Sequence, residues 1–440
     1  MTLMIHVQSR SAHPSMRLNY DILLVVMSLL RRKKDILRLA CACRALYQAV
    51  IPYLLKGHVE LKSQAHIVSF CHFMLRDRSR FRYLRSLSFG DGNDDDLNEI
   101  LDEETERLVP TMFKHASNLE VLLLDCDRFV STESFCRAIA ELPSLSTFIV
   151  YLEDYECYRM FRGIKAPVKS VHIIPRDNSP PPDEQPDAIY VVEPMKDSLE
   201  ILHVTHFDAV FSMDTQYPKL VELYINGGLL TEIRPLIHSF PNLRRLRIFL
   251  EESNMPWVHE DASLRQIIQH NILAQTHERW KTLSQVSSDT HALRMFRIHS
   301  KVDYLNIEGD ELTGEDLDDL FDVLSETRPR RLTFRCHEFP RNIQRLDHVL
   351  SPVSDMLEAL RLDFVVKGRE AKEPGPIIVR RQYLFSTEDV AETLTLRKYC
   401  RNLFLDCPSA SYAWVWIGYH KRSTSTVRNW RHLLTRSSHS

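Results

Sequence analysis

The stretch LVELYINGGLLTEIRPLIHSFPNLRRLRI, residues 220–248, carries the plan of most of the chain. An apolar residue, two others, an apolar residue, one other and a third apolar residue occur as Leu220, Leu223 and Ile225. The same phrase returns as Leu243, Leu246 and Ile248. Apolar residues two apart predict a strand with one buried face. Between the two copies, Thr231 to Phe240 has helical spacing, and Pro241 then turns the chain back. Proline is tolerated there because a strand start needs no ladder donor. The unit is therefore strand, turn, helix, turn.

Working outward, the phrase recurs as Leu84, Leu87, Phe89; Leu119, Leu122, Leu124; Leu145, Phe148, Val150; Val168, Val171, Ile173; and Leu199, Leu202, Val204. Beyond the opening stretch it returns as Val302, Leu305, Ile307 and Leu357, Leu360, Leu362, and it is also read from Leu293, Pro329 and Cys400. From Leu84 to Leu243 the starts are spaced by 35, 26, 23, 31, 21 and 23 residues. Pro143 and Pro218 hold the position that Pro241 holds, and Asn118 precedes Leu119 as Asn242 precedes Leu243. Helical segments are expected at Ala65 to Leu75, Phe135 to Leu142, Leu264 to Leu283 and Glu315 to Ser325. In the last of these, Leu317, Leu320, Phe321 and Leu324 share a face. The period and the phrase resemble leucine-rich repeats in a degenerate form. That resemblance implies an α/β solenoid over residues 57–420, with parallel strands on the concave face and helices on the convex face. A proline-rich insertion at 175–187 reads as a solvent loop, the aromatic run 412–419 as an end cap, and 421–440 as a basic tail.

Ahead of the repeats, after a short tail at 1–15, lies LNYDILLVVMSLLRRKKDILRLACACRALYQAVIPYL, residues 18–54. Leu18, Ile22, Leu23, Val26, Met27 and Leu30 lie on one helical face, which ends at the cationic run 31–34. Asp35 is placed to cap a second helical pattern through Ile36, Leu37, Leu39, Ala40, Cys43, Leu46 and Tyr47. Two or three short helices leave too little interior to bury this much apolar surface, so part of it is expected to be covered by another protein or by the domain behind. Leu18, Asp21, Ile22, Leu23, Val26, Leu30, Asp35, Leu37, Leu39, Cys43, Arg44 and Tyr47 resemble an F-box, here over residues 16–56. Asn19 stands where that motif has proline, and Tyr47 where tryptophan is more common. The resemblance implies docking on a Skp-family adaptor, and on a cullin through it, by Leu18, Ile22, Leu23, Val26, Leu30 and Leu37. It further implies that the repeats hold a target protein for an SCF-type ubiquitin ligase. A repeat scaffold outside that pathway is the alternative reading.

Chemistry is sparse. Nine cysteines without framework spacing suit reduced thiols in the cytoplasm or nucleus. Cys41 and Cys43, with Cys71 and His72, are too closely spaced for one tetrahedral ion, and both of the first pair are expected inside the second helix as small hydrophobes. His203, His206 and Asp208 read as surface polar residues. The acidic run 91–96 lacks the glycine and terminal glutamate of a calcium loop. No phosphate loop or nucleophile elbow occurs, and Cys400 and Cys407 have no histidine at a convincing spacing. Neither a cofactor nor catalysis is therefore expected. The formal net charge of -3 gives no overall attraction to nucleic acid or an anionic membrane, and the basic clusters at 31–34 and 328–331 read as solvated faces. No apolar run reaches the length of a membrane span.

Overall fold

A computed structural model of the chain describes residues 19–30, 32–90, 102–125, 132–152, 157–175, 191–205, 213–227, 230–250, 261–308, 314–337, 348–365, 380–385 and 414–419. The chain divides into two compact units, Met1–Val168 and Lys169–Ser440.

The first unit opens with three helices, α1 (Tyr20–Leu29), α2 (Lys33–Ala40) and α3 (Arg44–Lys56). Repeats follow: β1 (Val59–Leu61), α4 (Gln64–Arg76), a 3-10 segment (Arg78–Tyr83), β2 (Ser86–Phe89), α5 (Glu103–Phe113), β3 (Val121–Leu124), α6 (Glu133–Ala140), β4 (Thr147–Leu152) and α7 (Cys157–Gly163). The four strands pair in chain order, all parallel in the registers resolved. Leu87, Leu122 and Phe148 stand opposite one another, as do Phe89, Leu124 and Val150, and all six are buried. Each such side chain taken from water contributes about 1.5–3 kcal/mol. At the end of β2, Gly90 has φ +84, and a Cβ there would stand 2.5 Å from the Asp125 carbonyl oxygen. Only glycine fits so close an approach between successive repeats.

In the second unit, β5 (Ser170–Pro175), β6 (Ile201–Thr205), β7 (Glu222–Asn226), β8 (Arg245–Phe249), β9 (Thr282–Ser288), β10 (Lys301–Ile307), β11 (Arg331–His337) and β12 (Ala359–Val365) form an unbroken parallel run. The intervening helices include α8 (Arg234–Ser239), α9 (Asp261–His277), α10 (Thr290–Phe296) and α11 (Gly314–Thr327). Val171, Leu202, Leu223, Leu246, Val286, Leu305, Leu332 and Leu360 form one buried column in register. Helix α11 buries Leu317, Leu320, Val323 and Leu324. Parallel strands joined by helical crossovers, stacked repeat on repeat, are the leucine-rich-repeat solenoid class. The parallel run ends at β14 (Trp414–Tyr419), which pairs antiparallel with β12 and parallel with β13 (Arg380–Phe385).

The asparagine before the phrase has a repeated task. Asn118 Nδ2 donates to the Arg82 carbonyl at 3.2 Å, and Asn242 Nδ2 to the Pro218 carbonyl at 2.8 Å. Each satisfies a turn carbonyl two residues before the preceding copy of the phrase. Pro143, Pro218 and Pro241 all sit in the turns into their strands.

Several expectations are corrected. The helix expected to reach Leu283 ends at His277, and Leu283, Val286 and Ser288 form the strand copy in this interval. Leu293, read as a strand start, is buried on helix α10. Ser288 disguises the copy because it fills the third apolar position; its buried hydroxyl donates to the Ile248 carbonyl at 2.7 Å. Helix α9 also hides its inner face behind two buried amides. Asn271 accepts from the Ile233 N–H at 3.0 Å and donates to the Thr231 and Met295 carbonyls. Gln275 donates to the Phe296 and Arg297 carbonyls and accepts from the His299 N–H, each at 2.9 Å. The copy read from Pro329 is β11, with Leu332 and Phe334 buried. Strand β1, which no phrase marked, adds a repeat before Leu84. The copy at Cys400, the bulk of the proline-rich insertion, the acidic run and both tails lie outside the described residues.

Candidate functional site

The N-terminal helices form around a small core of Met27, Ile36, Ala40, Leu46 and Val50, with Leu23, Leu24, Leu30, Leu39, Tyr53 and Leu54 packed against it. Asn19 caps α1, its side chain accepting from the Asp21 N–H at 3.0 Å, so it does the helix-starting work for which proline is also suited. Asp35 does not cap α2. The chain turns helical at Lys33, and Asp35 sits in the first turn, 3.3 Å from Arg38. Cys41 and Cys43 are likewise not inside a helix; they occupy the break between α2 and α3 and are exposed. Lys33 Nζ donates to the His58 carbonyl, and the His58 ring meets Ser86 Oγ at 2.8 Å and Ser88 Oγ at 2.9 Å, tying these helices to the first strands.

This core leaves much apolar surface in water. Ile22 is 53% exposed, Val25 59% and Leu29 74%, and Val26 is exposed beside them. Residues at these spacings share one face of a helix. Tyr20, Leu37 and Tyr47 are exposed as well, so seven of the nine large exposed hydrophobics among the described residues fall within residues 20–47. Of the six residues expected to meet a partner, Ile22, Val26 and Leu37 face water. Leu23 and Leu30 are half-buried against the core and support those three; Leu18 lies outside the described residues. Val25 and Leu29 were missed, although the i, i+3, i+4, i+7 set of Ile22, Val25, Val26 and Leu29 marks them.

A second surface lies on the strand layer of the second unit. In register across β5 to β10 stand His172, His203, Tyr224, Arg247, Ser287 and Asn306. The two histidine rings are 4.1 Å apart, and His203 meets Tyr224 edge-on at 5.3 Å. The Arg247 guanidinium lies 5.0 Å from the Tyr224 ring and 3.4 Å from Glu308 Oε2. Glu222 receives Arg245 at 2.5 Å and His203 Nε2 at 3.4 Å. Burial, and then the neighbouring His203, push the His172 pKa down to about 4, so its ring is neutral near pH 7. His203 is lowered by burial, with Glu222 opposing. In the first unit the corresponding register carries Ser88, Leu123 and Ile149 instead. The second-unit face thus presents ionic, hydrogen-bonding and aromatic groups side by side.

Of the residues weighed for chemistry, His203 lies inside β6, while His206 and Asp208 fall outside the described residues. Among the described residues no group of three His, Cys, Asp or Glu is placed to hold a metal ion. Cys71 is buried, which raises its thiol pKa to about 12. No helix of the described residues is long and apolar enough to cross a membrane. One basic cluster escaped the sequence reading. Arg76 to Tyr83, RDRSRFRY, interleaves arginine with aromatic residues and lines a cavity of about 710 Å³.

No protein-family model matches the chain, and no curated protein matches it in sequence. Among solved structures the chain is similar to one in the crystal structure of the Rad7 and Elc1 complex in yeast, at 13% identity and a TM-score of 0.35, covering 78% of this chain and 87% of that one.

Proposed function

We propose that the protein is a non-catalytic substrate receptor of an SCF-type ubiquitin ligase. Its N-terminal helices dock on a Skp-family adaptor, and its strand face holds a target protein. The observation that carries this reading is the concentration of exposed apolar side chains on three helices whose residues resemble an F-box. Ile22, Val25, Val26 and Leu29 form an anchor row of the kind that packs into a partner's groove. The adaptor links the receptor to a cullin, and holding the target there raises its effective concentration near the ubiquitin-charged enzyme. The residue row from His172 to Asn306 supplies specificity, because polar groups left unpaired by a wrong partner cost binding energy.

The test is retention of purified Skp-family adaptor by the full chain, compared with Ile22→Asp/Val26→Asp. Both positions are exposed, so the double variant is expected to keep its fold. Retention by the wild type and its loss in the variant are expected. Equal retention by both, or none by either, assigns the chain instead to repeat scaffolds outside the ubiquitin pathway.

A further inference from the structure

The cavity lined by helix α3, helix α4 and the 3-10 segment Arg78–Tyr83 belongs to the first unit. Its volume, about 710 Å³, falls in the range of small-ligand sites. Four arginines line it: Arg44, Arg76, Arg80 and Arg82. One carboxylate, Asp77, faces them, for a formal balance of +4 − 1 = +3. His72, also on the wall, is occupied by Glu104 at 2.9 Å.

The arginines differ in what they do. Arg80 is a fixed part of the wall. Its guanidinium lies 3.9 Å from the Phe73 ring, donates to the Phe73 carbonyl and is 3.7 Å from Asp77 Oδ2. Asp77 is itself engaged by the Ser79 N–H at 3.1 Å. Arg82 rests 4.6 Å from the Tyr83 ring. The side chains of Arg44 and Arg76 make no ion pair or hydrogen bond among the described residues. Arg44 and Arg76 therefore line this concave space without a carboxylate of their own, while Asp77 interacts electrostatically with both Arg80 and Arg82. Arg44, Arg76 and Arg82 are all exposed, and together with Arg80 they give the cavity a net positive wall that favours an anion. Guanidinium forks match the oxygens of carboxylate and phosphate bidentately, and a phosphate monoester carries the second charge that several cations can balance.

We propose that this cavity binds a phosphate-class dianion, with Arg44, Arg76 and Arg82 as its cationic ligands and Tyr47 and Tyr83 as the walls for an apolar carrier. The carrier is a phosphorylated peptide or the phosphate is free. A nucleic acid is disfavoured because its backbone needs cations tracked along a face, whereas these converge on a single cleft in a chain of net charge -3. Of the seven exposed apolar residues of the helical module only Tyr47 lines this cavity, and the test of the cavity requires no adaptor.

Isothermal titration of the full chain uses four probes: inorganic phosphate, an acetylated Leu-phosphoserine-Leu tripeptide, its unphosphorylated twin and a single-stranded oligonucleotide. The phosphotripeptide is expected to bind at least tenfold more tightly than its twin. Arg44→Gln/Arg76→Gln is expected to weaken that binding at least tenfold with an unchanged thermal midpoint, and Arg76→Lys to fall in between. Inorganic phosphate binding at least as tightly as the phosphotripeptide assigns a free phosphate ligand; tighter binding of the phosphotripeptide assigns a peptide carrier. Wild-type affinity in the double variant, absence of binding by the wild type, or tighter binding of the oligonucleotide would overturn the proposal.

Discussion

Helices α1 and α11 have similar apolar patterns and opposite surroundings. Leu317, Leu320 and Leu324 of α11 are buried, because repeats stack on it and a strand layer lies beneath. Ile22, Val25, Val26 and Leu29 of α1 follow the same spacing and face water. The difference shows that an apolar stripe gives a helix and a preferred face, while the number of neighbours decides whether that face is filled from within the chain. The repeats supply neighbours on both sides. The three-helix module buries one side of α1 at Met27, Leu23 and Leu30 and leaves the other in water.

The largest expected effect tests the filled side. Leu320→Ala should cost about 2–5 kcal/mol, read from denaturant unfolding, because a cavity opens where the surroundings cannot collapse. Next, Asn271→Ala removes the partners of the Ile233 N–H and of the Thr231 and Met295 carbonyls, and about 1–3 kcal/mol should be lost for buried groups left unpaired. A cost below the resolution of the unfolding measurement would show that water replaces those bonds.

A smaller effect depends on pH. The His172 pKa is depressed from the ordinary 6.5 to about 4, so the unfolded chain binds more protons between those values. Its contribution is fully present above pH 6.5 and is lost as pH falls towards 4. His172→Gln should flatten that part of the stability profile, as followed by the unfolding midpoint at several pH values. An identical slope in the variant would assign the loss to other groups. The smallest stability effect belongs to the open side: Ile22→Asp/Val26→Asp should stay within about 0.5 kcal/mol of wild type while losing the adaptor. A large destabilisation would mean that α1 is packed like α11 after all.

The strand positions were legible wherever three apolar residues filled the phrase. Leu220, Leu223 and Ile225 needed no tertiary information, because each faces the core by the pleat alone. The copy at Leu283 was not legible, since Ser288 meets its buried hydrogen-bond need through a carbonyl of the neighbouring strand. Hydropathy carries no record of that bond. Leu293 matched the phrase by coincidence of helical spacing, its partners Phe296 and Ile298 standing three and five residues on. At the module, spacing marked the apolar face and the structure divided it, with Leu23 and Leu30 turned inward and Ile22, Val26 and Leu37 outward. The cavity around Arg76 to Tyr83 was hidden for a different reason. Its other wall, Arg44 and Tyr47, lies about thirty residues earlier and meets it only once α3 and the 3-10 segment pack together.

The reversed strand β14 bears on how such a chain grows in evolution. A repeat array lengthens by duplication, and a duplicated unit is accepted where it finds a parallel edge on either side. Within the run from β5 to β12 every junction offers that. Beyond β12 it does not, because Arg361 to Phe364 are paired antiparallel with Val415 to Gly418. A new repeat inserted there would have to displace β14 first. The number of repeats is therefore free to drift from the interior of the array, while its C-terminal end is held at a fixed stop.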